Sequence, residues 1–198
     1  MRALGLKAIQ AKKFKVTTDS KHSKPIAPDL IKQDFHATAP NQKWTSDITY
    51  VWTDEGWLYL AVVLDLYSRA IVGWAMNRRM TQQLVCDALT MALFRRHFPT
   101  ATIIHSDRGS QYCSQRYQQL ISSNGLCCSM GHKGNCYDNA VTESFFHTLK
   151  VELVHRERYV TRRRAQSRIF EYIETYYNRE RKHSAIGQRI PMVFEKTA

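Results

Sequence analysis

No stretch of the 198-residue chain approaches the roughly 18 uninterrupted apolar residues that a membrane span requires. Its first residues, MRALGLKAIQAKKFKV, also lack the long apolar region of a secretory signal. These absences argue against a membrane partner and lead to the expectation of a cytoplasmic protein. Cysteine is sparse and odd in number: Cys86, Cys113, Cys127, Cys128 and Cys136 lie in apolar or turn-like segments, which suits reduced thiols better than a disulfide scaffold. Cys127, Cys128, His132 and Cys136 invite a zinc reading. They contain no CxxC pair, however, and adjacent residues of a strand point to opposite faces, so buried thiols are the reading adopted. Internal repeats, low-complexity blocks and any obvious Ser/His or Tyr nucleophile constellation are missing as well.

With 43% hydrophobic residues, the chain has enough apolar material for one good core, with room for a small appendage. Its net charge of +12 is unevenly spread. Residues 1–43 hold nine basic against three acidic side chains, residues 44–149 hold eight of each, and residues 150–198 hold twelve against six. A neutral middle between two basic arms suits a polyanion-binding protein with a separate chemical centre, because Lys and Arg supply salt-dependent phosphate affinity. Arg162, Arg163 and Arg164, in the second basic arm, are assigned to phosphate contact over a merely solvated helix start.

Residues 1–16 read as a short basic helix, followed by an extended connector carrying Pro25 and Pro28. In WTSDITYV (44–51) Trp44, Ser46, Ile48 and Tyr50 share one face and Thr45, Asp47, Thr49 and Val51 the other, which is strand periodicity. WLYLAVVLDL (57–66) is apolar on both faces and forms a central strand, joined to the first by a TDEG turn, and AIVGWAM (70–76) completes a meander. A helix is expected from an N-cap at Thr81 to Pro99, then a strand at 101–106, a helix from Ser114 to Asn124, a strand at 126–130 and a glycine-containing loop, GHKGNCYDN. Two more helices follow, at 140–154 and 161–182, the second with an apolar stripe of Ile169, Tyr172, Ile173 and Tyr176. This order describes an α/β domain on a mixed five-stranded sheet flanked by helices, with Asp47 and Asp107 both carried by its strands.

Asp107 closes the strand of ATIIHSDRGSQY, and a carboxylate at the mouth of a sheet is costly to desolvate unless it is hydrogen-bonded, paired or bound to a cation. Glu143 lies on the helix after the last strand, with Asn139, His147 and Lys150 at i−4, i+4 and i+7 on the same helical face. If Asp47, Asp107 and Glu143 converge, three hard oxygen ligands repel one another unless a divalent cation neutralises them, and Mg²⁺ is the natural guest, with Mn²⁺ as a substitute. Two such ions about 3.5–4 Å apart suit an in-line phosphoryl displacement. Asp65 in LDLYSR is left out of this set, because an acid at a strand end beside Ser68 and Arg69 more often closes a turn or a salt bridge. His105 is read as making a structural hydrogen bond.

WTSDITYV, LDLYSRAIVGW, HSDRGSQY, DNAVTESFFHTLK and YNRERKHSAIGQRIPMVFE resemble, in that order, the catalytic core of transposases of the third insertion-sequence family (OrfB type), relatives of retroviral integrases. Thirty-five residues lie between Asp107 and Glu143, the spacing for which that D,D(35)E family is named. The resemblance covers roughly residues 30–198. It implies an RNase H-like fold in which Asp47, Asp107 and Glu143 are the catalytic, metal-binding triad. The implied activity is cleavage of DNA at element ends and strand transfer by the freed 3′-hydroxyl. It also implies that Ser110 lies near target DNA, that Asn139, His147 and Lys150 approach the element end, and that the protein works as a homo-oligomer on DNA, associated with the nucleoid.

The division expected from these readings is a basic remnant of an upstream DNA-binding region and linker at 1–40, an integrase-like core at 41–155 and a basic helical C-terminal extension at 156–198. The alternative is a non-catalytic truncated DNA-binding regulator of transposition. A purely hydrolytic RNase H-like nuclease shares the metal chemistry but leaves the ordered motifs unexplained.

Overall fold

The computed structural model describes residues 24–131 and 139–197. The expected basic helix at 1–16 and most of the loop before residue 139 lie outside the described residues. Three antiparallel strands come first: β1 (Lys43–Thr53), β2 (Gly56–Asp65) and β3 (Ile71–Asn77). Tight register from Trp44↔Asp65 to Thr53↔Gly56 joins β1 to β2. Gly56 takes a φ of +100° at the turn, a conformation that costs a residue without Cβ little. Helix α1 (Gln82–Arg95) then crosses to β4 (Ile103–Ser106), and α2 (Gln115–Ser123) crosses to β5 (Cys127–Met130). The five strands lie in the order β3-β2-β1-β4-β5, with β4 parallel to β1 and β5 parallel to β4. This is the expected mixed sheet.

Strand alternation sends side chains into two cores. On one face Trp44, Ala61 and Val63 pack with Leu84, Leu89 and Leu93 of α1. On the other, Val51, Leu60, Val62 and Leu64 meet α3 (Ala140–Glu152) through Phe145 and Leu149, and α4 (Arg162–Glu171) through Ala165 and Ile169. Residues 156–198 thus share a core with the sheet. A short α5 (Pro191–Glu195), not expected from the sequence, is held where Glu195 meets Arg96 and accepts from Ser68 Oγ, 2.5 Å from each.

The structure departs from these expectations in three further places. Thr81 stands at the N-cap of α1, but its side chain makes no capping bond, whereas Ser114 and Thr161 accept from the amides of Tyr117 and Arg164 as N-caps should. The single helix expected at 161–182 is an α-helix only to Glu171, after which Tyr172–Tyr177 is wound as a π-helix. A π turn inserts one extra residue and shifts the apolar stripe by a position. Tyr177 is therefore buried in place of Tyr176, which is exposed. The third difference concerns Asp107, which sits one residue past the end of β4 and not within it.

Close approach of α1 to β3 depends on Gly73. A methyl group there would sit 2.2 Å from the Ala88 carbonyl oxygen and 2.7 Å from the Ala92 nitrogen. Both are backbone atoms of a buried helix and have nowhere to go, so Gly73→Ala is expected to destabilise the protein by about 3 kcal/mol through overpacking. Urea unfolding would record this as a lower midpoint with an unchanged slope.

Candidate active site

Pairing between β1 and β4 lasts for only three residues: Lys43↔Ile103, Trp44↔Ile104 and Thr45↔His105. Beyond Thr45 and His105 the two parallel strands part, and crevices outside the carboxyl ends of parallel strands are where α/β sheets bind ligands. Asp47 and Asp107 each stand two residues past the last pair. A period of two carries them to the same side as Thr45 and His105, one on each arm of the fork. The third acid arrives with α3. Thr142 Oγ1 donates to Thr45 Oγ1 at 2.7 Å, both side chains fully buried, and this bond fastens the first turn of α3 to β1 two residues before Asp47. Glu143 follows Thr142.

Local bonds orient the two aspartates. Asp47 Oδ1 accepts from the Ile48 amide at 2.7 Å, and Asp107 Oδ1 accepts from the Gly109 amide at 2.8 Å in an Asx turn that ends the strand. Burial, followed by the charge of Asp107, pushes the Asp47 carboxyl well above the usual carboxylate range, and Glu143 adds to the effect. The Ile48 amide and Lys150 oppose it. Burial likewise raises Glu143. The acids are thus within electrostatic reach of one another, although among the described residues no three His, Cys, Asp or Glu side chains close to a shared metal-ligand distance. Crowded, partly desolvated carboxylates form a hard-oxygen donor set, and that chemistry fits a divalent cation such as Mg²⁺.

Around the acids, Lys150 is half-buried with its Nζ 5.1 Å from the Tyr50 ring centroid, and burial lowers its pKa against the pull of Asp47. It pairs with neither Glu143 nor Glu152, since Glu152 is taken by Arg181 and Tyr172. His147 is exposed on the same helix. Asn139, at the N-cap of α3, is only 8% exposed, and neither its amide nitrogen nor its oxygen has a hydrogen-bond partner among the described residues. Ser110 lies in the turn after Asp107, where Lys24 Nζ donates to its carbonyl at 2.9 Å.

One of the residues expected to contact phosphate is engaged within the chain itself. Arg162 turns back onto the β1–β2 hairpin, where its side chain donates to the carbonyls of Glu55 and Trp57 and its amide donates to the Glu55 carboxylate. The hairpin carbonyls outcompete solvent for it. Arg163 and Arg164 remain exposed.

Asp65 is fully buried and accepts from the Asn41 and Tyr67 amides and from Trp44 Nε1, so it closes the turn after β2 and stays outside the acid cluster. His105 Nδ1 meets Ser129 Oγ at 2.8 Å, the structural bond expected of it. Of the zinc candidates, Cys127 is exposed and Cys128 half-buried on successive strand positions, while His132 and Cys136 lie outside the described residues. Sequence periodicity does not reveal the Thr45–Thr142 tie or the placing of Lys150 over Tyr50.

Comparison with known proteins places this geometry. Residues 37–136 and 143–198 each match a family model described as integrase core domain. Transposase InsF for insertion sequence IS3A of Escherichia coli (strain K12) is 53% identical over 195 residues, which cover 98% of this chain and 68% of that protein. An insertion element IS600 protein of Shigella sonnei is 50% identical over 98% of this chain and 72% of its own length. Among solved structures, the HTLV-2 integrase catalytic core domain in complex with magnesium aligns over 81% of this chain and 99% of its own, with a TM-score of 0.60 at 17% identity. A chain of the simian T-cell lymphotropic virus intasome aligns over 90% of this chain and 60% of its own, with a TM-score of 0.66 at 18% identity.

Proposed function

Since the chain belongs to the integrase-core family of insertion-sequence transposases, we propose that it cuts and joins DNA strands at insertion-sequence ends, with Asp47, Asp107 and Glu143 as its catalytic carboxylates. One observation above all supports this reading: the β1–β4 fork sets the two aspartates side by side, and the Thr45–Thr142 bond brings α3 to them. The three acids would hold Mg²⁺, or Mn²⁺ in its place, as one or two ions that activate an attacking hydroxyl and stabilise the leaving oxygen of a phosphodiester.

The remaining roles fall to this chain's own side chains. The Asn139 amide, without a partner among the described residues, is placed to hydrogen-bond a nucleotide beside the acids, and it repays that group's desolvation only when it does so. Lys150, held between Tyr50 and the field of Asp47, grips a phosphate of the strand whose end lies at the acids. His147 extends the contact along the helix, and Ser110 faces target DNA from the turn after Asp107. Arg163 and Arg164 supply longer-range phosphate attraction. A multimer on paired ends suits such a reaction, and the HTLV-2 integrase core has been described in both dimeric and trimeric forms. Among the described residues no helix is long and apolar enough to cross a membrane.

The test is an assay of the chain with element-end DNA, a target duplex and Mn²⁺ or Mg²⁺. Joined products support the reading, nicks alone leave a nuclease, and DNA binding without either product leaves a regulator.

Replacing Arg163 and Arg164 together by Gln is expected to flatten the fall of log affinity with log salt by up to about 1.8, at roughly 0.9 per lost phosphate contact. Fluorescence anisotropy across a salt series measures the slope directly. An unchanged slope reduces this run to a solvated face.

A further inference from the structure

Two motifs are left unused by the catalytic reading: LDLYSR, at the turn between β2 and β3, and RKHSAIG near the C-terminus. They meet across a cleft of about 350 Å³ beside the first half of α3, lined by Arg69, Ser144, Thr148, Tyr177, Arg181 and His183 among others. No carboxylate lines it among the described residues.

Arg69 is the anomaly there. Its guanidinium makes no hydrogen bond or ion pair to any described residue, and its Nε is buried without a partner. Burial lowers its pKa, offset in part by Tyr177 and Asp65. A half-buried cation whose Nε lacks a partner is costly, and arginine's fixed fork is suited to a carboxylate or a phosphate. Its backbone is also strained, with a φ of +66° in a residue that has a Cβ. The second arginine of the cleft, Arg181, is paired with Glu152 at 2.9 Å, so Arg69 is the arginine of the cleft that has no ion pair among the described residues. Ser144 and Ser184 offer hydroxyls that donate to no described protein group. Ala140 and Val141 bring the positive end of α3 to the same wall.

We propose that this cleft is a phosphate-binding site, separate from the three acids, in which Arg69 is the principal ligand and which receives a backbone phosphate of bound DNA. The DNA assignment rests on the function proposed above. It is favoured because Ala140, which lines the cleft, stands about one helical turn before Glu143 on α3, so a strand held at the acids passes close to the mouth of the cleft. The phosphate chemistry rests on the cleft alone.

Arg69→Gln removes the charge and keeps hydrogen-bonding capacity, while Arg69→Lys keeps the charge and loses the fork. The first arm titrates free protein with inorganic phosphate against chloride at matched ionic strength, read by thermal shift and by the ring signals of His183. Phosphate is expected to raise the melting temperature of the wild type and move those signals, to do neither in Arg69→Gln, and to act weakly on Arg69→Lys. The second arm measures DNA affinity against salt in EDTA, where Arg69→Gln should reduce the slope by about 0.9, one phosphate's share. Loss of the phosphate response with an unchanged DNA slope leaves a site for a free phosphate and overturns the DNA assignment. A wild type indifferent to phosphate, or an Arg69→Gln variant that is merely more stable with phosphate response and slope unaltered, overturns the site itself. A change of oligomeric state in Arg69→Gln on sedimentation would place a carboxylate of a second copy in the cleft and also overturn it. Should the wild type prove unable to cut or join DNA while the phosphate response persists, the proposed function fails and this site does not.

Discussion

Asp107→Asn is expected to abolish metal-dependent DNA cleavage, lowering the rate by at least about a thousandfold, because removing a charged ligand forfeits several kcal/mol of transition-state stabilisation. The substitution keeps the shape of the side chain and the bond from the Gly109 amide, which an asparagine oxygen accepts equally well. Folding should therefore survive, and the metal-free protein should gain stability. Burial and the Asp107 charge hold the Asp47 carboxyl well above its usual range. The native state accordingly keeps a proton that the unfolded chain has released. The stability linked to that proton is fully present below the unfolded value of about 3.9 and is lost as pH rises through the raised native value. With Asp107 neutral, the second cause of the shift disappears, and less stability is lost over that window. Urea unfolding in EDTA from pH 4 to pH 8, beside a cleavage assay, checks both halves. Cleavage at the wild-type rate would remove Asp107 from the triad.

A reciprocal pair of variants separates chemistry from grip on α3. Lys150 lies seven residues beyond Glu143, about 10.5 Å down the helix at 1.5 Å per residue, too far to share a cation with it. Lys150→Ala is expected to weaken binding of element-end DNA about tenfold, the worth of one charge-assisted hydrogen bond, while divalent-metal affinity of the free protein stays near wild type. Glu143→Gln should do the reverse, losing metal affinity and cleavage while keeping most DNA binding in EDTA. Calorimetry with Mn²⁺ and anisotropy with labelled end DNA, run on both variants, supply the comparison. If Lys150→Ala leaves DNA binding untouched at low salt, the ammonium does no more than rest against Tyr50, and the DNA-facing side of this helix lies elsewhere.

Local periodicity makes most of the architecture legible in the amino-acid sequence. Alternation in WTSDITYV separates the two faces of β1, and the doubly apolar WLYLAVVLDL marks the centre of the sheet. The polar stripe of α3 is visible as Asn139, Glu143, His147 and Lys150. What periodicity misses is decided by contacts between distant residues. Whether Arg162 faces solvent or the hairpin carbonyls depends on where α4 docks, more than a hundred residues from Glu55 along the chain. The π turn at Tyr172–Tyr177 answers to the sheet beneath it and not to its own composition, so a stripe counted at 3.6 residues per turn slips by one. Adjacency in LDLYSR suggests a salt bridge between Arg69 and Asp65. Instead the Asp65 carboxylate is saturated by two amides and an indole, which leaves the guanidinium to the cleft.

The brief pairing of β1 with β4 also bears on the order in which the chain folds. The meander of β1, β2 and β3 closes through short turns, whereas β4 returns to β1 only after α1, and long-range parallel pairing carries the greater loop-closure cost. In the nascent chain Asp47 is therefore expected to stand clear of Asp107 and Glu143 until β4 docks and α3 follows. Crowding of the acids is thus expected late in assembly, after the meander has formed. Interactions formed after the transition state act on the rate of escape from the native basin far more than on the rate of entry. The electrostatic strain at the fork is consequently a kinetic property, and relieving it should lengthen the lifetime of the folded protein while leaving the speed at which it forms almost unchanged.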